Sequence, residues 1–147
     1  MWTYEHSIET AASPESIWPL YTDVPAWPRW DQGLEWVILS GPFAAGSAGS
    51  LKVPGQDPLP FKILDVRPLE GFSDETYIPN LAIRFDHSLE LTSTGTTRIT
   101  HRVIITGPAA EDVGPDLGLK ITADVPEAME SLARLALRSG APSLREG

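Results

Sequence analysis

The stretch from Leu81 to Thr106 constrains this chain more than any other, because it reads as two long strands joined by a tight turn. From Leu81 to Leu91 every odd position is apolar or histidine, and the even positions are mostly charged or small. That period of two is the signature of a half-buried strand, and it puts His87 on the buried face. Beyond Ser93, Thr94 and Gly95 the alternation resumes, with Ile99, His101, Val103 and Ile105 on one face and Arg98, Thr100 and Arg102 on the other. His101 is buried by the same rule.

Register follows from the turn. The apolar faces of the two strands agree only if opposed residue numbers sum to an even value. A three-residue loop over 93–95, with Gly95 in the left-handed region, supplies that pairing. It predicts His87 directly opposite His101. Opposed side chains on one face of an antiparallel pair have Cβ atoms roughly 4.5–5.5 Å apart, so the two imidazoles are expected to be neighbours under the sheet.

The composition sets outer limits. A chain of 147 residues with 41% hydrophobic and 21% charged residues is expected to be one globular domain over 1–147. Its formal charge of −9, with Lys and Arg scattered, argues against a nucleic-acid partner, which would need a basic stripe. Without cysteine there is no disulfide framework and no thiolate chemistry. The opening residues alternate like a strand, with no basic region and no long apolar run, so neither a secretory signal nor a membrane span is expected. The default location is cytoplasmic.

In chain order, residues 2–11 form the first strand, with Trp2, Tyr4, His6 and Ile8 on one face. Ser13 followed by Pro14 starts a helix, because serine caps the first turn and proline at the first helical position loses no bond. Pro19 is expected to interrupt it. Trp27, Pro28, Arg29 and Trp30 read as a compact turn or second short helix, and four of the five tryptophans (Trp18, Trp27, Trp30 and Trp36) fall in this region. Further strands are expected over 34–39, 50–53, 61–66 and 72–78, the last two with uncertain faces. Asp74 and Glu75 read as solvated surface. After the hairpin, Gly114 begins a helical region that Pro126 divides, either by a kink or by a new start. The C-terminal helix then runs to Arg138, is closed by Gly140 and Pro142, and leaves a frayed tail over about 141–147. The expected class is α+β: a curved antiparallel sheet of about seven strands, whose apolar face needs a cover that only the last helix is long enough to give.

That order of elements resembles the START-like (SRPBCC) superfamily, and within it the polyketide cyclase/dehydrase branch. The residues that carry the likeness are Ser13 to Trp18, then Thr22 and Asp23, then Trp27 to Trp30. The resemblance implies a helix-grip fold, with the sheet wrapped around the C-terminal helix and an internal, mostly apolar cavity between them. It does not fix function, since the superfamily includes lipid carriers, hormone receptors, aromatase/cyclases and chaperone activators. It also implies that the first strand pairs with the last. Centring residues 2–10 on 97–105 then sets His6 opposite His101, and all three histidines stand in one row.

Such a row has three chemical readings. His6, His87 and His101 could ligate a metal, although none is called for and no cofactor is expected. His87 and His101 could act as catalytic acid and base. The reading weighted most heavily is that they are hydrogen-bonded histidines bordering a cavity. His6, Tyr4, Trp27, Trp30, Trp36, Phe85 and Tyr77 are the candidate ligand contacts, with the tryptophans expected at the cavity mouth. The favoured function is binding of an apolar or aromatic small molecule, lipid-like or polyketide-like, in a cavity of roughly 300 Å³ or more. An aromatase/cyclase-type enzyme and a protein-interaction module are the alternatives, and association of two copies as a homodimer is left open.

Overall fold

The computed structural model describes the backbone of residues 1–146 and the side chains of residues 1–139. Strand β1 (Trp2–Thr10) is followed by helix α1 (Pro14–Thr22) and a 3-10 helix (Val24–Arg29). Six strands follow: β2 (Trp36–Leu39), β3 (Ala48–Lys52), β4 (Leu59–Arg67), β5 (Gly71–Ile78), β6 (Leu81–Leu91) and β7 (Thr97–Thr106). Helices α2 (Ala110–Thr122) and α3 (Val125–Glu146) close the chain. The strands form one antiparallel sheet in the order β1-β7-β6-β5-β4-β3-β2. The sheet stays open, with β1 and β2 at its edges.

Both registers expected from the sequence are present. His87 pairs with His101 across β6 and β7, and His6 pairs with His101 across β1 and β7. The turn is closed by the Thr92 N–H donating to the Thr96 carbonyl, and Gly95 takes φ +89°. That conformation is nearly free for glycine and strained for other residues.

The prolines behave differently from expectation. Ser13 Oγ caps α1 by accepting from the Ser16 N–H, and Pro14 sits at the first helical position, as anticipated. Pro19, however, does not interrupt the helix, which continues to Thr22 with the Asp23 N–H donating to the Pro19 carbonyl. An interior proline forfeits one intrahelical bond and crowds the carbonyl four residues back, and α1 offsets that cost by burying Ile17, Leu20 and Tyr21. Helix α2 starts at Ala110 rather than at Gly114, with Pro115 inside it. Of the two alternatives at Pro126, a new start occurs, with α3 beginning at Val125. The backbone of α3 remains helical past the stop expected at Gly140 and Pro142, to Glu146; neither residue excludes helical backbone angles.

Two apolar clusters fill the inner face of the sheet. One lies beneath α1, the 3-10 helix and α3, and contains Ile17, Tyr21, Trp27, Trp30, Phe72, Ile99, Met129 and Leu132. The other lies beneath α2 and contains Leu81, Ile83, Val103 and Ile105, with Trp2, Tyr4, Phe85 and Ile121 packed on its margin. Helix α2 seats on β1 at Gly118, where an added Cβ would lie 2.5 Å from a Trp2 ring carbon. The row of histidines runs between the clusters.

Candidate functional site

The histidine row is built by strand register and held by its neighbours. His87 and His101 are 8% and 7% exposed, and their rings meet edge to face at 4.6 Å between centroids. Phe72, opposite His87 on β5, stacks flat on the His87 ring at 4.0 Å. From below, fully buried Tyr21 on α1 brings its hydroxyl to 2.8 Å from His101 Nε2. Trp30 lies 6.0 Å from the His101 ring.

The hydrogen bonds determine the protonation pattern. The Phe72 carbonyl can only accept, so His87 donates to it from Nδ1 at 3.2 Å. Burial pushes the Tyr21 phenol above its ordinary range, so it keeps its proton and donates to His101 Nε2. Burial also pushes the His87 imidazole down to about 4, against the opposing pull of the Phe72 carbonyl and Asp86. His101 lies well below the usual range, first from burial and then from the neighbouring His87 and His6. Both rings are therefore neutral at pH 7.

This geometry changes the chemistry expected of the row. His101 Nε2 and His87 Nδ1 are already committed, and among the described residues no group of three His, Asp or Glu side chains is arranged to hold a metal. Tyr21 packs on both central rings, Phe72 on His87 and Trp30 on His101. His6, at the sheet edge, is the half-buried member of the row.

The other expected ligand contacts divide by face. Tyr4 and Phe85 do face inward, and both remain half-buried; Tyr4 stacks on Trp2. Trp27 and Trp30 belong to the closed core rather than to a mouth. Their indole N–H groups donate to the Tyr21 and Leu20 carbonyls. Trp36 takes the face opposite to the core residue Val37. Tyr77 lies on the outer face, with its hydroxyl donating to Glu75; β5 alternates, and Phe72, Asp74 and Thr76 hold its inner side. A recess of about 410 Å³ also lies on the outer side of the sheet. It is lined by residues such as Arg84, Asp86 and Arg102, with Asp86 accepting from Arg84 and Ser73.

Sequence reasoning missed an acidic group on the inner face. Asp74, read as surface, pairs with Phe85 and points with Phe72 toward the core, where it is only 5% exposed. Burial pushes its carboxyl well above the usual range, and Asp86 and Asp31 add to that shift. Asp31 follows the 3-10 helix, and its carboxyl is pushed up to about 6 by burial and by Asp124, against a lowering bond from the Gly33 N–H. Asp124 comes from the α2–α3 junction, beside Asp31 near Gly33. The parity of Phe72, Asp74 and Thr76 was the available signal. It was obscured because Glu75 follows directly and the pair resembles a solvated turn.

Comparison with known proteins places this architecture. The family model described as polyketide cyclase/dehydrase and lipid transport matches residues 1–137. Among solved structures, a Mesorhizobium loti protein superposes with a TM-score of 0.71 at 19% identity, covering 94% of this chain and 98% of its own. Norcoclaurine synthase from Thalictrum flavum superposes at 0.70 with 17% identity, covering 92% and 86%. A Thermobifida fusca protein gives 0.69 with 18% identity, covering 94% and 95%. No curated protein matches the sequence. The likeness to solved structures carries the fold, and the family match spans the sheet, the histidine row and α3 as far as residue 137: the chain belongs to the polyketide cyclase/dehydrase and lipid transport family.

Proposed function

We propose that this protein binds an apolar or aromatic small molecule against the inner face of its sheet, at the place where Phe85 is left partly open. The observation that carries this reading is the exposure of Phe85. It sits on a central strand and faces inward between the buried side chains of Ile83 and His87, yet it stays half-buried. Its outer-facing neighbours Arg84 and Asp86 are on the other side of the sheet. Solvent therefore reaches its ring from beneath, between the sheet and the helices, and an aromatic or alkyl ligand would gain by covering it.

The buried wall of Phe72, His87, His101 and Tyr21 supports the reading in a second way. A rigid, closed wall beside an open aromatic face lets a ligand bind without first ordering the site. Relatives point in the same direction: the family description includes lipid transport, and the Thalictrum enzyme has been captured with dopamine and hydroxybenzaldehyde, both aromatic.

Titration with the neutral probe 2-(2-naphthyl)ethanol, followed by tryptophan fluorescence, tests the proposal. Saturable one-to-one binding that weakens when Phe85→Ala is introduced is expected. Absence of saturable binding, or binding that Phe85→Ala leaves unchanged, overturns it.

A further inference from the structure

Asp74 is the group in this protein whose burial is hardest to explain by folding alone. It is a carboxyl on the inner face, 5% exposed, and among the described residues no hydrogen bond and no cation reaches it. Arg84 faces the other side of the sheet, where it is bound to Asp86 at 2.8 Å. The charged groups that act on it, Asp86 and Asp31, are both acidic and raise its affinity for a proton, and Asp124 acts on Asp31 in the same sense. Buried carboxyl groups are normally paired or hydrogen-bonded. Here three acids come from three separate segments (the loop before β2, strand β5 and the α2–α3 junction), and Asp31 accepts from the Gly33 N–H while Asp74 has no such partner.

The position of this group is informative. Asp74 is the cross-strand partner of Phe85, the inward-facing ring that remains open. No buried Asp74 oxygen is left without either a partner or contact with solvent, so a carboxyl without a hydrogen bond keeps some contact with solvent, at the strand position directly opposite Phe85. An aromatic surface and an acidic side chain on directly opposed strand positions suit a ligand that is aromatic or alkyl at one end and cationic at the other. We infer that the ligand of the inner-face site carries a protonated amine, which Asp74 receives while Phe85 contacts the apolar part.

This inference rests on the small-molecule reading above and adds the charge of the ligand. A matched pair of probes separates the two: 2-(2-naphthyl)ethylamine, cationic at pH 7, and the neutral 2-(2-naphthyl)ethanol, compared by isothermal titration calorimetry. The amine should bind about tenfold or more tightly than the alcohol, the scale of a hydrogen bond to a charged group. In Asp74→Asn, which keeps the side chain's shape, that preference should fall to within about twofold while the alcohol binds as before. Equal binding of both probes by the wild-type protein, or a preference for the amine that survives Asp74→Asn, overturns the amine assignment and leaves the small-molecule reading intact. Failure of both probes to bind overturns both. Amide shifts in the wild-type protein provide a measurement independent of any variant. On adding the amine, shifts should centre on Asp74 and Phe85, and shifts confined to the outer face around Arg84 and Arg102 would overturn the assignment.

Discussion

Removing the Tyr21 hydroxyl should cost this fold far more than the loss of one oxygen atom suggests. Tyr21 is fully buried, and its hydroxyl bonds to His101 Nε2 at 2.8 Å. Tyr21→Phe leaves that nitrogen without its donor beneath Tyr21, Trp30 and His87, whose rings lie within 6.0 Å of the imidazole. A buried acceptor stranded in this way costs about 1–3 kcal/mol, against about 1 kcal/mol for an average hydrogen bond. His101→Leu should cost a similar amount by stranding the hydroxyl instead. The double variant replaces both partners with apolar groups, so neither penalty remains, and its destabilisation should fall short of the sum of the singles by about 1–2 kcal/mol. Urea denaturation followed by tryptophan fluorescence reads all four proteins, because Trp18 and Trp30 pack on the Tyr21 ring at 6.1 and 5.9 Å. Additivity within about 0.3 kcal/mol would refute the reasoning, since it would mean that the two groups do not depend on each other.

The other predictions concern charge and packing. The lowered affinity of His87 and His101 for protons makes the unfolded chain the better proton acceptor below the ordinary histidine value. Their contribution is therefore complete above about pH 6.5 and is lost as pH falls toward 4, by about 3 kcal/mol for His87 alone. Asp31 and Asp74 are shifted upward and act in the opposite sense, favouring the folded state as pH falls. The histidine effect should therefore be measured in Asp31→Asn/Asp74→Asn, where stability should drop between pH 7 and pH 5; a flat or rising profile would contradict it. Asp74→Asn alone should raise stability at pH 8 by about 1 kcal/mol or more, because an unpaired buried carboxylate is removed, and a thermal melt shifted downward would contradict that. Gly118→Ala should destabilise by about 1–3 kcal/mol, since its Cβ would meet the Trp2 ring carbons at 2.5–2.6 Å, whereas Gly46→Ala, with nothing within 4 Å, should show only the cost of its φ of +94°.

What could be read from the sequence followed from periodicity. Alternation in residues 2–10, 81–91 and 97–106 gave strand identity, face and, through the Gly95 turn, register, which is why the positions of His6, His87 and His101 were legible in detail. A period of two is exact enough that one glycine can determine which side chains oppose. Proline carried less information than expected. Pro19 and Pro115 both lie inside helices, because burial of an apolar face outweighs one missing hydrogen bond.

The site itself was only half legible. The histidine row could be placed, but its chemistry depends on Tyr21, which reaches it from α1 across 80 residues of sequence. No local pattern predicts that contact. Composition drew attention to the tryptophans as a mouth, yet Trp27 and Trp30 use their N–H groups to tie α1 and the 3-10 helix together inside the core. Asp74 was passed over for the opposite reason. An acid beside another acid suggests solvent, although its parity with Phe72 placed it under the sheet. Tertiary contacts decided each of these cases, and they decided them against composition.

The central claim is that a small molecule occupies the inner face at Phe85. Intermolecular NOEs between the naphthyl protons of bound 2-(2-naphthyl)ethanol and this protein test it most directly. The account predicts cross-peaks to the Phe85 ring and to the methyl groups of Ile121, which packs on the same cluster. Cross-peaks only to outer-face residues such as Arg84 and Thr100 would contradict it.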